Sequence, residues 1–509
     1  MQSANEMPRY PLFINGEYCE PASGEYTQVI NPATGDVVGE VAMGNEADVD
    51  KAVAAARNAF DNNSDWRRMS PEKRGKVLKQ CAQIVLANAQ ELALLEVSCS
   101  GGTLNRVAGM DIMAVADLFG SLGDEVTQFP FVEALPTRPL PELVNTQVWR
   151  EPIGVCSLIT AWNFPLLLFA MKVAPALAAG NTMIVKPAEI TPTSTVRLVE
   201  LLNTVLPKGV LNVVVGAGSV VGEALTLHKD VDKVSFTGST SIGRHVQQNA
   251  ALTMKRVTLE LGGKGPGIVM PDADIERVAY GALWGVYMNA GQACESGTRL
   301  LVHEDIYDEM IQRLKEVSEE VVVGNPMDPA TGMGPMSTET HYNKVMQYIE
   351  SAVADGAEIV TGGKRADVAG CEGGFFVEPT VIVGVKNDMK VACEEIFGPV
   401  LSVIKYSSLD EAIAIANDSD YGLSAGVWTE NVVQAQQIAR DLRAGSVWIN
   451  DWHMMRTDAP FGGYKQSGYG REFGKYSISS YVETKSVSTS FERNPAAKKM
   501  HKIVHTKLA

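Results

Sequence analysis

The residues best suited to chemistry sit in the stretch NAGQACESGTRL, Asn289 to Leu300. It holds one thiol, Cys294, among Gly291, Ala293, Ser296 and Gly297, with the carboxylate of Glu295 beside it. Small neighbours leave a side chain uncovered and let a ligand approach the backbone. A thiol in such a place can act as a covalent nucleophile, because part of it is thiolate near neutral pH. It can equally be a buried free cysteine, since cysteine is among the most buried residue types. Two glycine loops compete for a phosphate. GAGSVVG, Gly216 to Gly222, reads G-x-G-x-x-x-G, one residue longer than the dinucleotide fingerprint. GSTSIG, Gly238 to Gly243, lacks the middle glycine but follows the strand-like KVSFT and opens a helix. A helix N-terminus presents unpaired N–H groups and a positive dipole end to a pyrophosphate. Both loops also fit ordinary strand-to-helix turns. KPAE places Lys186 and Glu189 at the end of a strand. An acidic residue there accepts hydrogen bonds from ribose hydroxyls and repels a 2′-phosphate, which favours NAD over NADP; a solvated charged turn would look the same.

The elements that must hold these groups are legible as alternation. From about 153 to 262, short apolar runs (GVCSLIT, TMIVKP, LNVVVG, DKVSFTG, RVTLELGG) alternate with amphipathic or buried helical stretches such as FPLLLFAMKVAPALAAG and STSIGRHVQQNAAL. This pattern predicts a parallel sheet covered on both faces, with ligands at the carboxyl ends of its strands. TPTSTVRLVELLNTV is expected to be a helix capped by Thr191, with Pro192 in its first turn. A second alternating block runs from about 298 to 450, from RLLVHE to AGSVWIN. PEKRGKVLKQCAQIVLANAQELALLEVSCSGG reads as helix ending at a glycine pair. PELVNTQVWREP and KYSISSYVETKSVSTSFE read as β-rich arms outside both blocks.

With 509 residues, the chain is long enough for two or three domains. A net charge of −16 argues against nucleic acid as a partner. Seven scattered cysteines, with no C-x-x-C pair, argue against a disulfide framework or a zinc ribbon. Reduced thiols place the protein in the cytoplasm. No signal peptide is visible, and Pro165, Lys172 and Pro175 interrupt the most apolar run, so no membrane association is expected. His501 and His505 have helical i,i+4 spacing but no third ligand in view, so no metal site is expected.

AWNFP, VKPAE, FTGST, LELGGK, GQACESGTR, EEIFGPV and PFGGYKQSGYGRE together resemble the motifs of the aldehyde dehydrogenase superfamily, in its order, over about residues 10 to 490. The resemblance implies the NAD-dependent, hydrolytic, non-CoA-acylating branch. It implies an α/β fold with two doubly wound domains and a β oligomerisation arm. The NAD-binding domain would comprise 1–132 and 155–262, the catalytic domain 263–475, the arm 133–154 and 476–495, with a basic tail at 496–509. Cys294 matches the nucleophile, Asn163 the oxyanion donor and Glu260 the general base that hydrolyses a thioester. Ile159, Trp162, Lys186, Glu189, Gly218, Gly222, Gly238, Ser239, Leu261, Glu395 and Phe397 match cofactor-binding positions. The arm implies a homodimer or homotetramer.

The chemistry requires such a set. An aldehyde cannot lose hydride as it stands; adding a thiolate gives a tetrahedral alkoxide that can expel hydride to a nicotinamide, leaving a thioester to hydrolyse. The presence of Glu260 favours the free acid over an acyl-CoA product. The resemblance puts Leu168, Met171, Met288, Trp452, Met455 and Arg456 along the substrate tunnel. The lining is largely apolar, suited to an aliphatic, terpenoid or aromatic aldehyde. Arg456 would instead grip the carboxylate of a semialdehyde acid, or form a surface salt bridge. Two residues depart from the family pattern, Glu295 after the nucleophile and Gly265 after ELGGK. Gly265 is expected only to loosen a turn. Glu295 either faces the sulfur, where it would raise the thiol pKa or attract a cationic or hydroxylated substrate, or points away into a hydrogen bond.

Overall fold

The computed structural model describes residues 7–62, 64–137 and 144–507. The start of the first segment, the first three residues of PELVNTQVWREP and the end of the basic tail therefore lie outside the described residues. Five apolar runs of the first block form the parallel strands β1 (Val155–Ile159), β2 (Thr182–Lys186), β3 (Leu211–Val213), β4 (Lys233–Thr237) and β5 (Arg256–Glu260). Their order across the sheet is β5-β4-β1-β2-β3, with every neighbouring pair parallel. Leu12–Ile14 and Glu17–Cys19 extend one edge antiparallel. Gly468–Tyr469 closes the other edge against β5, although it lies within the 263–475 segment expected to form the second domain. The first four strands are buried throughout, as a sheet covered on both faces requires.

Helix α1 (Pro165–Ala179) starts on a proline, is buried along its whole length and stops at Gly180, which takes the left-handed conformation. Helix α2 (Thr193–Leu202) corrects the cap assigned to Thr191. Its N-cap is Pro192, without a side-chain cap bond, and the Thr191 hydroxyl donates to the Trp162 carbonyl instead. The long helical run before the sheet is two helices, Pro71–Ala87 and Ala89–Ser100. They break at Asn88, whose side-chain amide donates back to the Ile84 carbonyl, and the second ends at left-handed Gly101.

The second block builds a seven-stranded sheet. Its strands include β6 (Pro266–Val269), β7 (Arg299–His303), Thr380–Val383, Val400–Tyr406, Ser424–Trp428 and Ser446–Ile449, all parallel, with Glu358–Thr361 antiparallel at one edge. The arms are one structure: Val482–Ser490 pairs antiparallel with Val144–Pro152 over nine residues, and Val132–Ala134 adds a third strand. All seven cysteines are free. No helix among the described residues is long and apolar enough to cross a membrane, and these residues hold no cluster of ligands suited to a metal ion.

Candidate active site

A cavity at the carboxyl ends of β4 and β5 joins Gly238 and Ser239 to Cys294 and Glu395, which precede the amino ends of β7 and Val400–Tyr406 in the second sheet. Cys294 follows an irregular run in which Asn289, Ala290 and Gly291 all take left-handed φ values of 54°, 53° and 75°. That run reverses the chain after the helix Ile275–Tyr287 and delivers the thiol to the cavity. Two of the small residues around it serve the protein itself. A Cβ on Gly291 would collide with the Gly398 carbonyl, and one on Gly297 would sit 2.9 Å from the Trp452 indole.

Glu260 ends β5 and is buried, with Oε1 3.9 Å from Sγ of Cys294. Burial raises its carboxyl pKa well above the usual range; Glu472 adds to this and Lys172 opposes it. Lys172 is itself buried and paired with Glu472 at 2.9 Å. Asn163 lies in the turn before α1, and its amide donates to the Gln292 carbonyl at 2.9 Å. Its backbone carbonyl accepts from Asn289, so the turn and the nucleophile loop hold each other. Burial pushes the Cys294 thiol well up, and Glu295 and Glu260 push it further.

Glu295 is resolved by the geometry: it faces the sulfur. Sγ donates to Oε2 at 3.2 Å, and Oε1 stands 3.0 Å from Nδ1 of His453. Burial raises the Glu295 carboxyl, but His453, the backbone N–H of Glu295 and the Cys294 thiol together outweigh it, and the group lies below its ordinary value. His453 was invisible in the sequence as a partner. Gly265, expected only to loosen a turn, does more. A Cβ there would press on the Ser296 carbonyl at 2.7 Å and on the Trp452 ring at 3.1 Å.

Of the expected cofactor residues, Trp162, Gly238, Ser239, Leu261, Glu395 and Phe397 line the cavity, while Ile159, Lys186, Glu189, Gly218 and Gly222 lie outside its lining. Lys186, at the end of β2, is buried and bonds the Pro187 carbonyl at 2.9 Å and Glu189 Oε2 at 3.3 Å. Burial lowers its pKa, and Glu189 partly restores it. Gly218 and Gly222 bound a short π-helical turn, and a Cβ on Gly218 would meet nothing within 4 Å. Ser239 caps the helix Thr240–Ala251, while Gly238 makes room for the Phe236 ring. Ile159 is buried at the end of β1, and Leu261 and Trp162 line the cavity. Glu395 accepts from the Gly263 N–H at 3.0 Å, and burial raises its pKa to about 7. Phe397 is left-handed, with φ 62°, and its ring meets Trp162 edge-on at 5.4 Å. Its carbonyl lies 2.6 Å from Nε2 of His341, and burial lowers the His341 pKa to about 4, so the imidazole is neutral and donates this bond. His341 and Lys344, both on the cavity wall, were missed because they lie on a helix far from any motif. The groups present fit a dinucleotide. Lys186 and Glu189 stand at a strand end, the Gly238–Ser239 turn opens a helix, and, among the described residues, there is free space over Gly218 and Thr237 Oγ1 is buried at the cavity without a partner.

The expected tunnel residues divide. Leu168, Met171 and Met288 are buried in the apolar cluster against which Cys294 and Met455 pack. Trp452 is placed elsewhere than expected. It stacks on Trp428 in the core of the second sheet, nested against Gly285 and Gly297, and its Nε1–H donates to the Glu295 carbonyl at 2.8 Å. Arg456 is engaged bidentately by Asp458 at 2.8 and 2.7 Å and points outward, so it offers no free fork to a substrate.

The sequence matches the Aldehyde dehydrogenase family over residues 18–487. It is 41% identical to betaine aldehyde dehydrogenase of Bacillus subtilis, covering 94% of this chain and 96% of that one. It is 42% identical to human retinal dehydrogenase 2, covering 94% and 91%. The fold superimposes on the NAD+ complex of betaine aldehyde dehydrogenase from Staphylococcus aureus with a TM-score of 0.92, at 40% identity, over 94% of this chain and 95% of that one. On this likeness in sequence and fold, which spans nearly the whole chain, the protein belongs to the aldehyde dehydrogenase family.

Proposed function

We propose that the protein oxidises an aldehyde to the free carboxylic acid with NAD, through a covalent adduct on Cys294. The observation that carries this reading is the convergence of a thiol, a carboxylate 3.9 Å from it and an amide donor on one cavity. In this reading Sγ of Cys294, as thiolate, attacks the aldehyde carbon. The alkoxide that forms takes hydrogen bonds from the Asn163 amide and the Cys294 N–H; one such donor contributes about 3 kcal/mol to lowering the barrier. NAD, when bound, supplies the hydride acceptor. Lys186 and Glu189 would hold its adenosine ribose, Gly238 and Ser239 its pyrophosphate, and Glu395 and Phe397 its nicotinamide end. Glu260 then takes a proton from water as the water attacks the thioester, the carbon–sulfur bond breaks, and the acid leaves. The presence of Glu260 favours this hydrolysis over transfer to CoA.

For the substrate, the apolar surroundings of Leu168, Met171, Met288 and Met455 favour an aliphatic, terpenoid or aromatic aldehyde. The pairing of Arg456 with Asp458 weighs against a semialdehyde acid. A cationic aldehyde is the second reading. It is favoured by two carboxylates, Glu260 and Glu295, within 3.9 Å of Sγ, and by the betaine aldehyde dehydrogenases among the relatives. Assembly as a homodimer or homotetramer is supported by Val482–Ser490, which forms an outer edge of the arm sheet and can pair with another copy. The test is NADH formation over aliphatic, aromatic, amino and semialdehyde substrates, with Cys294→Ala as control. Full activity in Cys294→Ala would overturn the reading.

A further inference from the structure

We propose that Glu295 and His453 form a buried pair that fixes the Cys294 thiol and governs how readily it gives up its proton. The inference rests on the reading of Cys294 as nucleophile and deepens it. Three groups stand in a row: Sγ, the Glu295 carboxylate at 3.2 Å and the His453 imidazole at 3.0 Å beyond it. Glu295 is the nearest acceptor for the thiol proton, closer than Glu260 at 3.9 Å. Its position is locked from behind, because its backbone carbonyl accepts from both Trp452 Nε1 and Ser424 Oγ at 2.8 Å. His453 is locked too. It holds a left-handed backbone with φ 53°, and its ring lies edge-on to Trp284 at 5.5 Å and against Trp448 at 6.1 Å. The two side chains are only 2% and 4% exposed, so bulk water does not compete for them.

The sign of the effect follows from the charges. A carboxylate that accepts S–H favours the thiol and repels the thiolate. The His453 ring nitrogen, 3.0 Å from the other carboxylate oxygen, favours the ionised carboxylate and offsets part of its charge. The charged groups facing Cys294 are Glu295, Glu260 and Glu395. Behind Glu260 stand Glu472, Lys172, Glu295 and Arg471; behind Glu395 stand Lys344 and Lys264; behind Glu295 stands His453. Of these, Glu295 makes the shorter contact with Sγ, 3.2 Å against 3.9 Å for Glu260, and His453 stands 3.0 Å from it. The pair is therefore the adjustable element of the nucleophile's environment.

The test is alkylation of Cys294 by iodoacetamide in the full chain across pH, without aldehyde or cofactor, read by mass on the Cys294 peptide. Glu295→Gln keeps the shape and removes the charge. It is expected to move the midpoint down by at least about one pH unit and to speed alkylation at pH 7.5 by about tenfold or more. His453→Gln is expected to shift the midpoint while Glu295 is present and to have no effect in the Glu295→Gln background. The proposal is overturned if Glu295→Gln stays within about twofold of the parent at every pH, or if His453→Gln shifts both backgrounds equally. Should Glu295→Gln not fold, Glu295→Ser carries the same expectation. Failure here is distinct from failure of the oxidation reading, which would appear as NADH formation independent of Cys294.

Discussion

Gly263→Ala is the sharpest structural test of how the nucleophile is held. The Gly263 N–H donates to Glu395, and a Cβ on this residue would drive into the carbonyl oxygen of Cys294, far inside the 3.0 Å that real Cβ atoms respect. The atom it meets is backbone, and Leu423 stands at 3.4 Å as a further wall, so the loop has little room to give. To restore ordinary contact the Cys294 carbonyl must retreat by about 1 Å, and the thiol moves with it. A displacement of about 1 Å at a reacting centre costs on the order of 100-fold in rate. The expected result is a fall of about that size in kcat, with a slower rate of Cys294 alkylation and a lower melting temperature. Gly109→Ala is the control, since a Cβ there meets nothing within 4 Å. The reasoning is refuted if Gly263→Ala keeps kcat within about threefold of the parent enzyme.

Other predictions follow from the same geometry. Asn163→Ala should lower kcat/KM by about 100-fold, equivalent to about 3 kcal/mol of lost alkoxide stabilisation; steady-state NADH kinetics would show it. Because burial raises the Glu260 carboxyl well above the usual range, its base form is lost as pH falls through that raised value. The hydrolytic step should therefore slow on the acid side at a pH above that of an ordinary carboxylate, and Glu260→Gln should remove that limb from the pH profile while leaving a much slower rate. Arg456→Ala should leave the ranking of neutral and carboxylate-bearing aldehydes unchanged, since Asp458 already occupies the guanidinium; a selective loss of activity on semialdehyde acids would count against the outward placement.

Much of the fold was legible because its signals are local. β1 to β5 are short apolar runs between helical stretches, and Gly101 and Gly180 stop helices where a left-handed residue is needed. The break at Asn88 was not legible, since the helical pattern runs through it and the interruption is a single residue that folds back on Ile84. In the site, Cys294, Asn163 and Glu260 stood out because their motifs carry them. What escaped were relations between distant segments. Trp452 reads as a tunnel aromatic, yet the glycines that admit its ring, Gly285 and Gly297, lie on another stretch of chain, and nothing in the loop announces them. His453 reads as a lone histidine until the fold sets it against Glu295. Gly265 and Glu295, the two departures from the family pattern, turn out to be linked through Trp452, whose ring needs the space over Gly265 and whose indole N–H holds the Glu295 carbonyl.

The most direct test of the account is to trap the acyl-enzyme. Glu260→Gln is mixed with NAD+ and an aldehyde found active on the parent enzyme, quenched in acid, and its peptides are weighed. The account predicts a single burst of NADH, at most one per chain, and the mass of the acyl group on Cys294 alone. An adduct on another of the seven cysteines, or continued turnover at the parent rate with no adduct on Cys294, would contradict it.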